Sequence, residues 1–258
     1  MKVAICIFGQ PRWINNPYVL LSHKYWIIDR YKADVFIHSW ISGEEKKFDY
    51  ADQVEEYKKT KEVKNVADII IKKYNPKKYI FEKPKDFSLD EKSRAILKKR
   101  EQEYYEKVNG YFNHTLTNEN NHLSQLYSMS KSISLLNDDY DWIILSRFDN
   151  YIYNFPNLFI LEKNNLYLND TYSYNFADVL IFGGQKQIET LNCFDLIPEL
   201  CNKILYFTPE EFKRTAYQRI YNLDPPQIGE YLYEIGQEKR IPIGVGVVRS
   251  NTLENLQI

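Results

Sequence analysis

Two short apolar segments separated by a helical pattern constrain the fold of this chain more than any other feature. The first, Val3 to Phe8, is continuously apolar and precedes Gly9, a pattern typical of a strand buried on both faces. Asn15-Asn16-Pro17 is a helix-start signal, and the predicted helix extends to about residue 31. Its predicted buried residues are Leu21, Tyr25 and Ile28. With a second strand at residues 33–38, the pattern forms a βαβ unit, which requires a parallel sheet.

The alternation of helices and strands continues along the chain. Apolar spacing predicts further helices at 63–74, 90–109 and 126–136, and further strands at 79–82, 142–145, 166–168, 179–182 and 241–248. A loop is expected at 109–121, and later helices are expected to break at Pro198, Pro209 and Pro225-Pro226. We therefore predict one α/β domain over residues 1–258, with a mostly parallel sheet flanked by helices and a helical C-terminal portion.

Composition and charge exclude several classes of protein. The 34 Lys and Arg residues nearly balance the 35 Asp and Glu residues, which argues against a nucleic-acid-binding protein. Three cysteines lack metal-type spacing, and Cys6, inside the first strand, is expected to be a buried reduced thiol, which indicates a reducing compartment. The apolar N-terminal run is too short for a signal peptide, and no segment is long enough to span a membrane. We therefore expect a cytoplasmic protein.

Polar side chains follow three of the predicted strands. Gln10 and Arg12 follow the first strand, His38 ends the second, and Arg147 and Asp149 follow the strand at 142–145. Ligands of open α/β sheets bind beyond the carboxyl ends of the strands. The pattern indicates a site for a phosphorylated ligand, in which Asp149 holds Mg²⁺ or Mn²⁺ and the arginines contact phosphate oxygens. The alternative is that Arg147 and Asp149 form only a structural ion pair that caps the sheet.

A set of segments in a fixed order carries a resemblance to a known family. The segments are KVAICIFGQPR (2–12), DVFIHSW (34–40), SQLYSM (124–129), YDWIILSRFD (140–149) and DVLIFGG (178–184). Together they resemble a family of GT-A-type glycosyltransferases found in bacterial surface-polysaccharide clusters and in large viruses. The resemblance extends over about residues 1–40 and 122–248.

The resemblance implies a GT-A fold with a nucleotide-binding half, about 1–150, and an acceptor-side half, about 151–258. By analogy, Gly9, Gln10, Arg12 and His38 line the nucleotide pocket, and the segment from Arg147 to Asp149 lies at the diphosphate and metal position. The family element usually has two acidic residues, D-x-D, whereas this chain has an arginine first. Such an arginine could neutralise the leaving diphosphate directly. The family pattern predicts a divalent cation (Mn²⁺ or Mg²⁺) at Asp149, and the arginine weakens that prediction.

Further candidates follow from position along the chain. Gln125 and Lys131 lie on the helix before the Asp149 strand and are predicted to contact the donor. Asp178 is the predicted general base on the acceptor hydroxyl, with a turn-capping role as the alternative. Glu230 is a second candidate for that base. The histidines without metal-ligand spacing, expected to be structural or exposed, are His23, His114 and His122.

The resemblance therefore predicts an enzyme that moves a sugar from a nucleotide-diphosphate donor to a glycan or glycolipid acceptor, in surface-polysaccharide biosynthesis. Two alternatives stay open: a nucleotidyltransferase that makes activated sugars, and a non-catalytic sugar- or nucleotide-binding protein on the same scaffold. The first loop lacks the Gly-rich, Lys-containing phosphate cradle of many nucleotidyltransferases. No nucleic-acid partner and no membrane span are expected, and peripheral membrane association is left open.

Overall fold

The fold is organised by a mixed β-sheet. A computed structural model describes residues 1–12, 14, 16–42, 64–107, 119–169, 180–204, 207–218, 238–241 and 244–247. Its strands are β1 (Val3–Gly9), β2 (Asp34–Trp40), β3 (Lys78–Glu82), β4 (Trp142–Arg147), β5 (Asn150–Asn154), β6 (Leu166–Asn169), β7 (Leu180–Gly183), β8 (Glu238–Ile241) and β9 (Gly244–Val247). Its helices are α1 (Pro17–His23), a π-helical segment (Lys24–Ile28), α2 (Asp29–Tyr31), α3 (Val66–Tyr74), α4 (Glu91–Lys107), α5 (Glu119–Ser134), α6 (Gln185–Glu189), α7 (Ile197–Leu200) and α8 (Pro209–Gln218).

The sheet is mostly parallel, as the sequence predicts. Within the described residues, seven strands are ordered β3-β2-β1-β4-β7-β6-β8, and β5 pairs separately with β9. β1 is parallel to both β2 and β4, β2 is parallel to β3, and β6 is parallel to β8. β7 is antiparallel to its neighbours β4 and β6. The α/β class is confirmed, and the predicted βαβ unit is present at the N-terminus.

Apolar side chains cover both faces of β1. Ala4, Cys6 and Phe8 belong to one buried cluster, which includes the inner face of α5. The residues between them, including Ile5 and Ile7, belong to a second cluster with α3 and the helical segment 17–31. Successive residues of a strand point to opposite faces, so a strand covered by helices on both sides must be apolar throughout. The three cysteines, Cys6, Cys193 and Cys201, are free and buried.

The predicted helix at 17–31 is present, but its buried face is not the predicted one. Asn16 caps the helix by accepting a hydrogen bond from the backbone N–H of Tyr18. Leu21 and Tyr25, expected in the core, are 54% and 69% exposed, whereas Ile28, also expected there, is half-buried and packs against the second cluster. The buried positions of the segment are Val19, Ser22, His23, Ile27 and Tyr31, four of which recur at intervals of four residues. The prediction of the face was wrong because hydrophobicity alone does not select a stripe that contains a buried histidine.

Several boundaries also differ from the predictions. Glu119 already lies in α5, so the predicted loop ends earlier than residue 121. Pro198 and Pro209 lie in the first turn of α7 and α8 and therefore begin helices instead of breaking them. The strand predicted at 241–248 is represented by two short strands, β8 and β9. None of the helices in the described part of the chain is long and apolar enough to cross a membrane.

His23 is buried between the helical layer and the sheet. Its Nδ1 lies 3.1 Å from Tyr74 Oη, and its Nε2 lies 3.3 Å from Ser146 Oγ. Burial lowers the pKa of His23 to about 4, and the negative charge of Asp149 opposes this shift only in part. His23 therefore has the structural role that the sequence predicts, and it is neutral in the folded protein at neutral pH.

Acidification should destabilise the protein through His23. In the unfolded chain the imidazole titrates near its ordinary pKa of 6.5, so the unfolded state binds a proton below that pH. The folded state binds this proton only near pH 4 and below. This one group should lower the free energy of unfolding by up to about 1.4 kcal/mol per pH unit in that window. Urea unfolding across the window should give a shallower pH slope for His23→Gln than for the wild type. Equal slopes would contradict this assignment.

Candidate functional site

The three strand ends that carry the predicted polar residues lie side by side at the carboxyl end of the parallel strands. In the strand register, Phe8 of β1 is opposite both His38 of β2 and Arg147 of β4. Gly9, one residue further along β1, is opposite Ser39. Because these three strands are parallel, their carboxyl ends lie side by side, where ligands of α/β sheets bind.

Arg147 and Asp149 form a two-pronged ion pair. Arg147 Nε donates to Asp149 Oδ1 at 2.9 Å, and Arg147 Nη2 donates to Asp149 Oδ2 at 2.6 Å. Nη1 of Arg12 lies 3.8 Å from the same Oδ2, and Arg12 also donates through Nε and Nη2 to Gln10 Oε1 at 3.0 and 2.7 Å. We call Gln10, Arg12, Arg147 and Asp149 the arginine cluster. Two guanidinium groups therefore lie next to one buried carboxylate.

The burial of Asp149 explains why the pair is bidentate. Its side chain is only 3% exposed, whereas those of Arg147 and Arg12 are 16% and 20% exposed. A buried carboxylate is costly unless it is paired and hydrogen-bonded, and the planar guanidinium satisfies both oxygens at once. The structural ion pair considered as the alternative is therefore present. It also holds the Arg147 guanidinium at the sheet edge, where a phosphate could approach it.

The described residues are a poor set of ligands for a divalent cation. Both carboxylate oxygens of Asp149, the predicted metal ligand, are bonded to Arg147. Mg²⁺ and Mn²⁺ favour several oxygen ligands, and no group of three or more His, Cys, Asp or Glu side chains is placed to hold a metal ion in the described part of the chain. The donor set fits an anion held by arginines better than a metal.

Gly9 makes the turn that carries Gln10 and Arg12. Its φ of +98° lies in a region that only glycine adopts without strain, and a Cβ there would meet no atom within 4 Å. Its N–H donates to Ser128 Oγ at 2.8 Å, and its carbonyl accepts from Ser39 Oγ at 3.0 Å. The turn is therefore held from one side by side chains and open on the other.

His38 lies inside the protein and does not face the open edge. Its side chain is 0% exposed, Nδ1 lies 2.7 Å from Ser128 Oγ, and Nε2 lies 2.9 Å from Glu82 Oε2. Lys85 Nζ donates to the other oxygen of Glu82, Oε1, at 2.5 Å. The structure thus places His38 next to the predicted pocket, with both ring nitrogens engaged by protein groups. We call Ser128, His38 and Glu82 the serine–histidine–glutamate chain.

A cluster of aromatic and basic side chains lies beside the serine–histidine–glutamate chain. Tyr127 stacks on Trp40 with ring centroids 5.4 Å apart and an interplanar angle of 21°. The ammonium groups of Lys85 and Lys131 lie 5.0 and 5.2 Å from the centre of the Tyr127 ring. Gln125 is half-buried on α5, one turn before Ser128. Both predicted α5 candidates, Gln125 and Lys131, are therefore on the helix that packs on this end of β1 and β2.

Two predicted acidic residues lie outside the described residues, and two contributors were missed. Asp178 and Glu230 are not among the described residues, nor is His114. Ser128 and Glu82 were not selected from the sequence. A serine in a helix and a glutamate at the end of a strand are ordinary in those places, and only the fold brings them to His38.

Comparisons with known proteins add no family to this geometry. No protein-family model matches the chain, and no curated protein matches it significantly.

The Arg147–Asp149 pair should contribute strongly to stability. Arg147→Ala leaves a buried carboxylate without its fork and should lower the free energy of unfolding by about 3 kcal/mol. In a double-mutant cycle by urea unfolding, Arg147→Ala with Asp149→Ala should cost clearly less than the sum of the single variants. As a control, Lys163→Ala removes an exposed partner of Asp141 and should cost less than about 1 kcal/mol. Additive costs at Arg147 and Asp149 would contradict the pairing.

Proposed function

We propose that the protein is a glycosyltransferase with a GT-A-like fold, which moves a sugar from a nucleotide-diphosphate donor to a glycan or glycolipid acceptor. The observation that carries the proposal is the arginine cluster at the carboxyl edge of β1 and β4. The resemblance of the segments at 2–12 and 140–149 supplies the reaction class. In this proposal the acceptor belongs to surface-polysaccharide biosynthesis.

Glycosyl transfer breaks the bond between the anomeric carbon of the sugar and the diphosphate oxygen. Negative charge then develops on the departing nucleoside diphosphate and must be stabilised where it forms. Arg147 and Arg12 carry fixed positive charge at that edge, and Asp149 holds the Arg147 guanidinium in one plane by its two hydrogen bonds. The arginines are therefore the groups that bind the diphosphate in this proposal, together with the Gly9 turn.

The acceptor hydroxyl forms the new bond to the anomeric carbon and loses its proton to a base. The proposed base is Asp178. Its support is the strand that follows it in the sequence: β7 begins at Leu180, which pairs with Ser146, the neighbour of Arg147. Because β7 runs antiparallel to β4, its first residue is at the same edge of the sheet as the arginine cluster.

The proposal places the enzyme in the cytoplasm, with peripheral association with a membrane where a glycolipid acceptor is used. Its support is a set of exposed apolar side chains: Leu21, Tyr25, Phe159 and Ile160 are 54%, 69%, 74% and 78% exposed. Apolar side chains mark a contact surface for a lipid or a protein where they form a contiguous exposed patch. A divalent cation is kept only as a condition to be tested, since the Asp149 oxygens are already bonded to Arg147.

A second candidate function is a non-catalytic nucleotide- or sugar-binding protein. The observation that favours it is the single carboxylate of the arginine cluster, whose two oxygens are both satisfied by Arg147. Such a protein would bind the donor and leave the bond to the sugar intact. Turnover separates it from the transferase.

The test is the release of nucleotide and the transfer of sugar from UDP- and GDP-sugars to glycan acceptors, with Mn²⁺ and with EDTA. The wild type should turn over one donor class. Asp149→Asn should lower kcat by about 100-fold, because an amide cannot accept both hydrogen bonds that orient Arg147. Asp141→Asn is the matched control: it makes the same change at the other end of β4, where Asp141 bonds the backbone N–H of Lys2.

Asp141→Asn should keep the wild-type kcat. If the wild type binds a nucleotide but releases no sugar from any donor, the non-catalytic function replaces the transferase. Equal losses in Asp149→Asn and Asp141→Asn would show that the arginine cluster has no special part in turnover.

A further inference from the structure

The serine–histidine–glutamate chain links Glu82 of β3 to the Gly9 turn, and the donor and the acceptor of each of its hydrogen bonds can be assigned. Burial raises the pKa of Glu82, but hydrogen bonds from Lys85 and His38 outweigh it and lower that pKa to about 2. Glu82 is therefore a carboxylate that only accepts, so the proton of the His38 ring is on Nε2. Burial also lowers the pKa of His38, and the nearby Lys85 and Lys131 act in the same direction, against Glu82.

With the ring neutral, Nδ1 of His38 is an acceptor. The hydroxyl of Ser128 must then donate to Nδ1 across the 2.7 Å contact, which leaves its oxygen to accept the Gly9 N–H at 2.8 Å. Each hydrogen bond of the serine–histidine–glutamate chain thus determines which group donates in the next one. The last of them ends on the backbone of the residue whose positive φ turns the chain towards Gln10 and Arg12.

The serine–histidine–glutamate chain has the residue types of a serine hydrolase triad, but its side chains are not accessible as those of a triad are. Ser128 and His38 are both 0% exposed, and Ser128 Oγ already accepts the Gly9 N–H. A nucleophile must reach the reacting carbon of its substrate, and these buried groups have a different geometric role. Their hydrogen bonds end at a turn whose other side is open.

We propose that Ser128, His38 and Glu82 are positioning residues, which hold the Gly9–Arg12 turn in the conformation that directs Arg12 at the donor diphosphate. None of the three touches the donor in this proposal; they act through the Gly9 amide. The choice of ligand rests on the proposed function. The turn itself is closed by a hydrogen bond from Arg12 N–H to the Gln10 carbonyl at 2.8 Å, so fixing Gly9 fixes the start of this turn.

The test compares two serines of the same helix. Ser128→Ala removes the acceptor of the Gly9 N–H, whereas Ser132→Ala removes an equally buried hydroxyl that donates only within α5, to the Met129 carbonyl. Affinity for UDP and for GDP is measured by calorimetry, with the unfolding temperature of each variant. Ser128→Ala should lower the affinity for the nucleotide that binds the wild type by about tenfold, and Ser132→Ala should leave that affinity unchanged.

A second pair of variants tests the link through His38. His38→Asn keeps a side-chain oxygen that can accept from Ser128, and it should retain the affinity within about threefold. His38→Leu keeps the bulk but offers no acceptor, and it should lose affinity as Ser128→Ala does. This pair also decides the matter if Ser128→Ala does not fold. Equal affinity in Ser128→Ala and Ser132→Ala, or equal losses in the two His38 variants, would overturn the proposal.

A failure of the proposed function gives a different result. If neither UDP nor GDP binds the wild type, the ligand is wrong, and amide hydrogen exchange by NMR then tests the positioning alone. Ser128→Ala should speed the exchange of the Gly9 and Arg12 amides relative to Ser132→Ala, because the Gly9 N–H has lost its acceptor. Unchanged exchange at both amides would overturn the role of Ser128.

Discussion

The position of β1 between two parallel strands is the constraint on which the rest of the molecule depends. Its backbone groups pair with β2 on one side and β4 on the other, and helices cover both of its faces. Such a strand must be apolar along its length, and polar residues can follow only at its end. The apolar strand ends at Gly9, and polar residues follow it. Its positive φ turns the chain out of the sheet and brings Gln10 and Arg12 next to the ends of the neighbouring strands.

A buried carboxylate gives the sheet edge its chemical character. Asp149 is nearly inaccessible, so it needs a partner that satisfies both of its oxygens, and the guanidinium of Arg147 has the matching shape. The pair is at once a structural element and a way of fixing an arginine in one orientation. Arg12 adds a second positive charge on a turn that the serine–histidine–glutamate chain holds from behind. Two arginines held at this position suit a diphosphate, whose charge grows as a sugar departs.

The sequence predicts the strands of this edge well because their signal is local. Val3 to Phe8 and the strand before Arg147 are continuous apolar runs, and the i, i+2 spacing of Arg147 and Asp149 already suggests a pair. The direction of β7 is not encoded locally, since a short apolar strand reads alike in either orientation. The buried face of the helix at 17–31 was predicted wrongly because His23 is polar and buried. The contact of His38 with Ser128 spans 90 residues and could be found only in the folded chain.

Thermal unfolding with nucleotides tests the central claim, that arginines at this edge bind a nucleoside diphosphate. The wild type is heated with UDP, GDP or dTDP, and with CMP as a monophosphate, each with Mn²⁺ or with EDTA. One diphosphate should raise the unfolding temperature in EDTA as well as in Mn²⁺; at 100 times its Kd the stabilisation is about 2.7 kcal/mol. Stabilisation only with Mn²⁺ would show that a cation, and not the arginines alone, binds the diphosphate. No stabilisation by any nucleotide in either condition would contradict the claim.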